Sequence, residues 1–451
     1  MIKGSQHVFL RKFFDMECRE NLFALRDADN NPVWDALRFN IYMTYVAEAL
    51  PVERHLSLRE KVAIAIKGIG KALQSLLHMC LVPAEALIFE APRYRNTQNR
   101  FFDKATQNIY DAENRCKTAV GDIKALHRYT HFVEMDFVWL YRKHVYKTHD
   151  LSLELMEKII NALQTLGEAT PQREIINRFY NDFLCEKEYY QRYMRCKRPS
   201  YIVLNRSGIK KGLIAAAQRL HIPVFEVQHG MFSEEHLAYS YPAMGWQQQD
   251  IMEPDMFFVW SPYWQHRANI PCPTIALGND FFLPDDNLRK QIAQSDRKTL
   301  LVISSAIHAK VLIPLTEQFA LQYPDVPIMY KLHPNEYGNK HVYMERFADR
   351  SQIKVLTNEY TMPQLLLQTR LVVLINSTVF YESLSYGVAV AIFKRMNYGA
   401  YSDCFNMKGV SLIDNAEALY TAYVAHYRVD STIEFFMPFN RKLFLETINI
   451  Y

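Results

Sequence analysis

The sequence predicts an α/β protein of two domains, each built on a mostly parallel sheet. Two buried, β-branched runs, Tyr201-Ile202-Val203-Leu204 and Val224-Phe225-Glu226-Val227, flank a helical run, which is the pattern of a right-handed βαβ unit. The same alternation of strand and helix restarts at Lys298 and continues to Phe393. At 451 residues the chain exceeds what one hydrophobic core covers, so two domains of roughly 200 residues each are expected.

The elements follow in order. Residues up to about 55 read as a helical lead-in, with Pro32 to Phe39 opening an aromatic-rich helix after the Asp29-Asn30-Asn31 turn. Ala86 to Glu90 is an early strand that ends in the basic loop Ala91-Pro92-Arg93-Tyr94-Arg95. Residues 151–196 carry long helical periodicity. Pro254, Pro262, Pro271, Pro273 and Pro284 then interrupt the chain around the strand Met256 to Trp260, a texture that suits a hinge. Beyond it come strands at 299–303, 326–332, 353–356, 371–375 and 388–393, with helices at 312–322 and 363–369. The expected division is an N-terminal domain over residues 1–245 with helical additions, a hinge over 246–295 and a C-terminal domain over 296–451, whose last helix packs back on the first domain.

Composition narrows the function. With 52 Lys and Arg against 48 Asp and Glu, a net +4 is too small at this length to announce nucleic acid as a partner. The seven cysteines are odd in number, scattered and never in a Cys-x-x-Cys pair, which suggests neither a disulfide framework nor a zinc knuckle. Arg11, Lys12, Asp15 and Glu17 interrupt the apolar residues after Met1, so a cytoplasmic protein is expected. Between Lys61 and Val82 the apolar residues Val62, Ala65, Ile66, Ile69, Leu73, Leu76, Leu77 and Cys80 recur at helical spacing opposite Lys67, Lys71, Gln74 and His78. The lysines argue against a membrane span, and the preferred reading is a helix whose apolar side packs on the core; docking on an anionic bilayer is the alternative.

Three polar clusters follow three buried strands, where α/β sheets do chemistry. His333-Pro334 ends one strand, with Lys331 on the same side two residues earlier; an imidazole there suits a phosphate oxygen that gains charge. Asn376-Ser377-Thr378 joins a strand to a helix and suits an anion, or is a plain N-cap; Glu382 completes no capping box with it and is available to ribose hydroxyls. Gln228-His229-Gly230 ends the first βαβ unit, with Glu234, Glu235 and His236 close behind to bind or polarise an acceptor hydroxyl. A structural role for His229 is an equal alternative. Ser304-Ser305 is a further phosphate contact or a turn. The sequence lacks G-x-x-x-x-G-K-[ST], G-x-S-x-G, H-E-x-x-H and G-x-G-x-x-G, and its 14 glycines provide no cradle for phosphates.

In this order, Glu226-Val227-Gln228-His229-Gly230, Phe258-Val259-Trp260-Ser261, Lys331-Leu332-His333-Pro334 and Asn376-Ser377-Thr378-x-x-x-Glu382, the motifs resemble those of GT-B glycosyltransferases of bacterial capsule and lipopolysaccharide assembly. They are similar to sialyl- and Kdo-type transferases with a His-Pro motif, and to teichoic-acid glycerophosphotransferases. The resemblance covers roughly residues 199–395. It implies two Rossmann-like domains with a cleft between them and metal-independent transfer of a sugar from a nucleotide-sugar co-substrate, CMP-activated for preference, with no resident cofactor. The acceptor would be a glycan or lipid-linked glycan at the inner face of the cytoplasmic membrane. His333, Ser377 and Thr378 would then meet the donor phosphate, Glu382 the ribose, and His229 the acceptor. The acidic tripeptide that supplies the base in such sialyltransferases is absent, so His229, Glu90 and Glu234 are the candidate bases, in that order. The rival readings are a CDP-polyol-dependent polyol-phosphate transferase, a sugar-nucleotide epimerase of the same fold, and a non-catalytic assembly partner.

Overall fold

A computed structural model describes residues 6–46, 58–96, 98–122, 127–305, 308–394, 398–425, 429 and 433–451. Among these, the chain forms two compact units: the first runs to Phe281 and resumes at Met437, and the second is Phe282–Phe436.

The first unit carries a sheet of β1 (Ala86–Glu90), β2 (Lys117–Gly121), β3 (Val133–Met135), β4 (Tyr201–Leu204), β5 (Val224–Val227), β6 (Met256–Val259) and β7 (Thr274–Ala276). Their order across the sheet is 3-2-1-4-5-6-7 and every pairing is parallel. Strands β1, β4, β5 and β6 are buried along their whole length, as apolar runs in a parallel sheet covered on both faces must be. The second unit repeats the plan with β8 (Thr299–Ile303), β9 (Ile328–Lys331), β10 (Ile353–Leu356), β11 (Thr369–Leu374), β12 (Ala389–Phe393) and β13 (Val410–Ile413), in the order 10-9-8-11-12-13. Renumbered within its unit that order is 3-2-1-4-5-6, so both units are doubly wound in the Rossmann manner and the α/β class with parallel sheets is observed. Each winding reverses beside its first strand, between β1 and β4 in one unit and between β8 and β11 in the other.

Residues 246–281, expected as part of a hinge, instead supply β6 and β7 of the first sheet. The prolines that suggested a hinge occupy positions where no ladder hydrogen bond is lost: Pro254 and Pro273 precede strands and Pro262 opens a short 3-10 turn. The C-terminal helix Arg441–Ile448 buries Phe444 and Ile448 in the cluster formed by Ile88, Val203, Phe225 and Phe258 of the first sheet. Gly278, at φ +83°, makes the return possible, because Met437–Pro438 backbone lies where a side chain would stand.

Helices Gln6–Arg19, Val33–Val46, Leu153–Gln164 and Arg173–Lys197 contribute to a second apolar cluster of the same unit. Buried charge ties this layer to the sheet. Lys211 Nζ ion-pairs with Asp35 at 3.2 Å and with Glu253, and donates to Met252 O at 2.8 Å and Tyr241 Oη at 2.9 Å.

The helix Leu58–Leu81 departs from the expected packing. Its polar side faces the protein: Ser75 is buried and accepts from Met135 N, His78 meets Glu134 at 2.8 Å, and Lys71 donates to His127 O. The apolar residues Val62, Ile66, Ile69, Leu73, Leu76, Leu77 and Leu81 are exposed instead. Ala72 and Met79 of the same side pack on the core cluster, so hydrogen bonds and a few apolar contacts together select the face that docks. No helix among the described residues is long and apolar enough to cross a membrane.

Replacing Lys211 by Met should strand the buried Asp35 and Glu253 carboxylates and cost about 3–5 kcal/mol, read by urea unfolding at pH 7. A loss below about 1 kcal/mol would show that Lys211 does not hold this layer.

Candidate functional site

In a doubly wound sheet, ligands meet the carboxyl ends of the strands beside the point where the winding reverses. In the second unit that point lies between β8, which runs into Ser304-Ser305, and β11, which runs into Ile375-Asn376-Ser377. His333-Pro334 follows the adjacent strand β9. One residue missed by sequence reasoning organises the group: Glu336, which is buried. Its Oε1 accepts from Ser304 Oγ at 3.0 Å and from Tyr343 Oη, and its Oε2 accepts from His333 N at 2.9 Å. His333 and Glu336 thereby form the capping box of the 3-10 turn Pro334–Asn339, with Pro334 opening that turn. A His at the first position and Glu three residues on was the available signal.

The imidazole is oriented by the same turn. Nδ1 of His333 accepts from Asn335 N at 3.2 Å, which assigns the ring proton to Nε2 and makes that atom a donor. Lys331 donates to Leu332 O and to Tyr337 Oη, at 3.1 and 2.9 Å. Partial burial lowers its pKa to about 8, against the opposing pull of Glu359 and Glu336, so the ammonium remains charged at pH 7.

The Ser-Thr segment differs from expectation in detail. Ser377 N donates to Tyr401 Oη at 2.6 Å, and Ser377 Oγ accepts from Val379 N at 3.2 Å, so Ser377 is spent on its own turn. Ser304 Oγ likewise donates to Glu336. Thr378 enters the helix Val379–Ser385 in helical conformation without capping it by its side chain, and Glu382 lies half-buried in the first turn. Asn376 and Ser305 are half-buried at the two strand ends. No hydrogen bond engages the Asn376 side chain among the described residues.

In the first unit the reversal lies between β1, ending at Glu90, and β4, which runs into Asn205-Arg206. Here too a missed carboxylate joins the strand ends. Asp103 is buried; it accepts from Ala91 N and Asn205 Nδ2, both at 2.7 Å, and from Ala105 N at 3.0 Å. Burial, then the charge of Glu90, raises its pKa to about 6. Asp103 follows Phe101-Phe102 with no periodic signal, so only the fold reveals it. Glu90 itself is buried, pairs with His131 Nε2 at 3.1 Å and lies 3.5 Å from Thr106 Oγ1, which makes it a fixed partner of His131 rather than an open base. The β2 end is close enough that a Cβ on Gly121 would stand 2.8 Å from Glu90 O.

His229 follows β5. Its Nδ1 lies 3.4 Å from Tyr239 Oη, which donates to Glu226 Oε1 at 2.8 Å, a chain that presents Nε2 as the basic nitrogen. Desolvation at the strand end, then the charges of Arg206, His236 and Arg93, lowers the imidazole pKa, solvent reaching the exposed side chain tempers the shift, and His229 is neutral at pH 7. Burial raises Glu226 to about 7 although Ser207 and Tyr239 donate to it. Neither Arg93 nor Arg206 has a hydrogen-bonded or ion-paired partner among the described residues, so two guanidiniums face this strand end uncommitted.

The neighbours of His229 divide. Gln228 is buried and bridges strand ends, accepting from Trp260 N at 2.9 Å and donating to Gly230 O at 3.1 Å, so its amide belongs to the scaffold and not to an acceptor. Glu234 is exposed and Glu235 half-exposed on the turn at Ser233. His236 is exposed and lies against the Phe39 and Tyr239 rings, 6.4 and 5.1 Å between centroids, whose desolvation of the imidazole lowers its pKa. No group of three or more His, Cys, Asp or Glu suited to a metal ion occurs among the described residues.

No protein-family model matches this sequence, and no curated protein does. Among solved structures the chain is similar to the UDP-GlcNAc 2-epimerase of Methanocaldococcus jannaschii in complex with UDP-GlcNAc and UDP, at 13% identity and a TM-score of 0.46 over 81% of this chain and 99% of that one. It is similar to the Neisseria meningitidis UDP-GlcNAc 2-epimerase bound to UDP-GlcNAc, at 12% identity and TM-score 0.43 over 81% and 100% of the two chains. It is also similar to Acinetobacter baumannii MurG, at 10% identity and TM-score 0.42 over 82% and 100%. Likenesses this distant carry no argument about the ligand or chemistry of this chain.

The raised pKa of Glu226 fixes a sign. The folded state keeps its proton from about 4.5 up to about 7 while the unfolded chain has lost it, so this contribution to stability is complete below 4.5 and disappears as pH rises through 7. Glu226→Gln should therefore gain about 3 kcal/mol relative to the parent between pH 4.5 and pH 8, measured by denaturant unfolding. An unchanged difference between the two proteins across that range would mean that Glu226 titrates normally.

Proposed function

We propose that this chain is a glycosyltransferase that moves a sugar from a nucleotide-sugar donor, CMP-activated for preference, to a bacterial surface glycan. The observation that carries the reading is the donor-bearing end of the second sheet: the Nε2–H of His333 and the Lys331 ammonium stand at the end of β9, beside the winding reversal and Asn376. Transfer breaks the bond between the anomeric carbon and the donor phosphate, and negative charge collects on the departing phosphate. A fixed N–H donor and an ammonium stabilise that charge. The acceptor hydroxyl attacks the anomeric carbon and gives up its proton to a base. In the first unit the side chain with the chemistry of such a base is neutral His229, whose Nδ1 is oriented by Tyr239 and Glu226.

A second reading has its own support. The uncommitted Arg93 and Arg206 suit a phosphate-bearing group, which favours the polyol-phosphate transferase over a neutral-sugar reaction. Donor preference separates the two readings, and incubation with donor alone separates both from an epimerase, which needs no acceptor.

Thermal denaturation with CMP-, UDP-, GDP- and CDP-activated compounds should show stabilisation by one class, worth about 2.7 kcal/mol at a hundred times its Kd. His333→Asn keeps an acceptor for Asn335 N but removes the Nε2–H, and should weaken that ligand by about 1.5–3 kcal/mol, tenfold or more, in calorimetric titration. Stabilisation by none of the four, or undiminished binding by the variant, would contradict the assignment.

A further inference from the structure

The helix Leu58–Leu81 turns an apolar face outward: Val62, Ile66, Ile69, Leu73, Leu76, Leu77 and Leu81 are between 41% and 74% exposed. At 100° per residue the first six fall within one arc, with Arg59 at its edge and Lys67 and Lys71 outside it. A contiguous face of this kind marks an interaction surface. Its charge surroundings say which. From Lys61 to Ala84 the sequence contains no Asp or Glu. Lys67 is exposed on the polar side of the helix, and beside that side opens a pocket of about 330 Å³ lined by Lys71, Gln74, Arg100, His127, Arg128 and Tyr129 among others, with no acidic residue in its lining. The nearby Glu134 is fully buried and already paired with His78 and Lys197.

We infer that this face docks on an anionic phospholipid bilayer, the apolar arc entering the acyl boundary and the basic pocket receiving a lipid phosphate. A second copy of the chain is the poorer occupant. In a two-fold pairing the cationic residues of both copies would be brought together, with one acid on each helix, Glu60, to set against Arg59, Lys61, Lys67 and Lys71. A bilayer supplies apolar depth and negative charge together, which is the combination that holds in-plane amphipathic helices. This surface meets the strand-end residues above only at His131, which lines the pocket and pairs with Glu90, and the inference stands whether or not the chain acts on sugars.

Co-sedimentation of the full chain with vesicles of phosphatidylcholine, alone or mixed with phosphatidylglycerol, tests it. Binding should require phosphatidylglycerol, fall with added salt, drop at least tenfold in Leu73→Glu, and drop comparably in the Arg100→Glu, Arg128→Glu double variant. Both variants alter exposed or half-exposed side chains, and an unchanged melting temperature checks that they fold. Equal binding by Leu73→Glu and the parent, or no binding to phosphatidylglycerol vesicles, overturns the inference. So does a parent that is dimeric by light scattering, ignores vesicles and becomes monomeric in Leu73→Glu, which would give the face to a second copy.

Discussion

Each unit depends on one buried carboxylate that joins the loops after two adjacent strands, across the winding reversal in the first unit and beside it in the second. Strands diverge at such a point, and their last backbone and side-chain donors have no ladder partners left. Asp103 collects Ala91 N and Asn205 Nδ2 from the two sides of the first reversal. Glu336 collects His333 N and Ser304 Oγ from the ends of β9 and β8, on one side of the second reversal. A carboxylate is the side chain suited to this, because it accepts several hydrogen bonds and donates none when ionised. Once the loops are tied, the side chains next along, Arg206 in one unit and His333 in the other, acquire fixed positions at a strand end.

The two units present opposite chemistry from the same plan. The second offers donors: an imidazole whose proton is assigned to Nε2 by Asn335 N, and a lysine that stays charged. The first offers a neutral imidazole, carboxylates whose pKa values rise toward neutrality, and two guanidiniums without partners. Burial is the leading cause of these shifts, so they express the depth of the strand ends in the fold. Groups poised near neutral pH are those that can exchange protons with a substrate, and fixed cations are those that can receive an anion.

Much of the fold was legible because a buried parallel strand must be a continuous apolar run. Ala86–Glu90, Tyr201–Leu204, Val224–Val227 and Thr299–Ile303 all announce themselves in this way. Lys117–Gly121, Val133–Met135 and Val410–Ile413 do not, since edge and near-edge strands are short and mix in polar residues. His229, His333 and Asn376 were visible as polar residues directly after apolar runs. Asp103 and Glu336 were not, because their importance lies in hydrogen bonds to residues that the fold, not the sequence, makes neighbours. The helix Leu58–Leu81 shows the limit of periodicity: its spacing defines two faces and says nothing about which one docks.

A crystal structure of the full chain with its preferred nucleotide-sugar bound tests the central claim most directly. The donor phosphate should lie within hydrogen-bond reach of His333 Nε2, at the strand ends next to the reversal between β8 and β11. A nucleotide bound elsewhere on the second unit, or held by the first unit with His333 untouched, would contradict it.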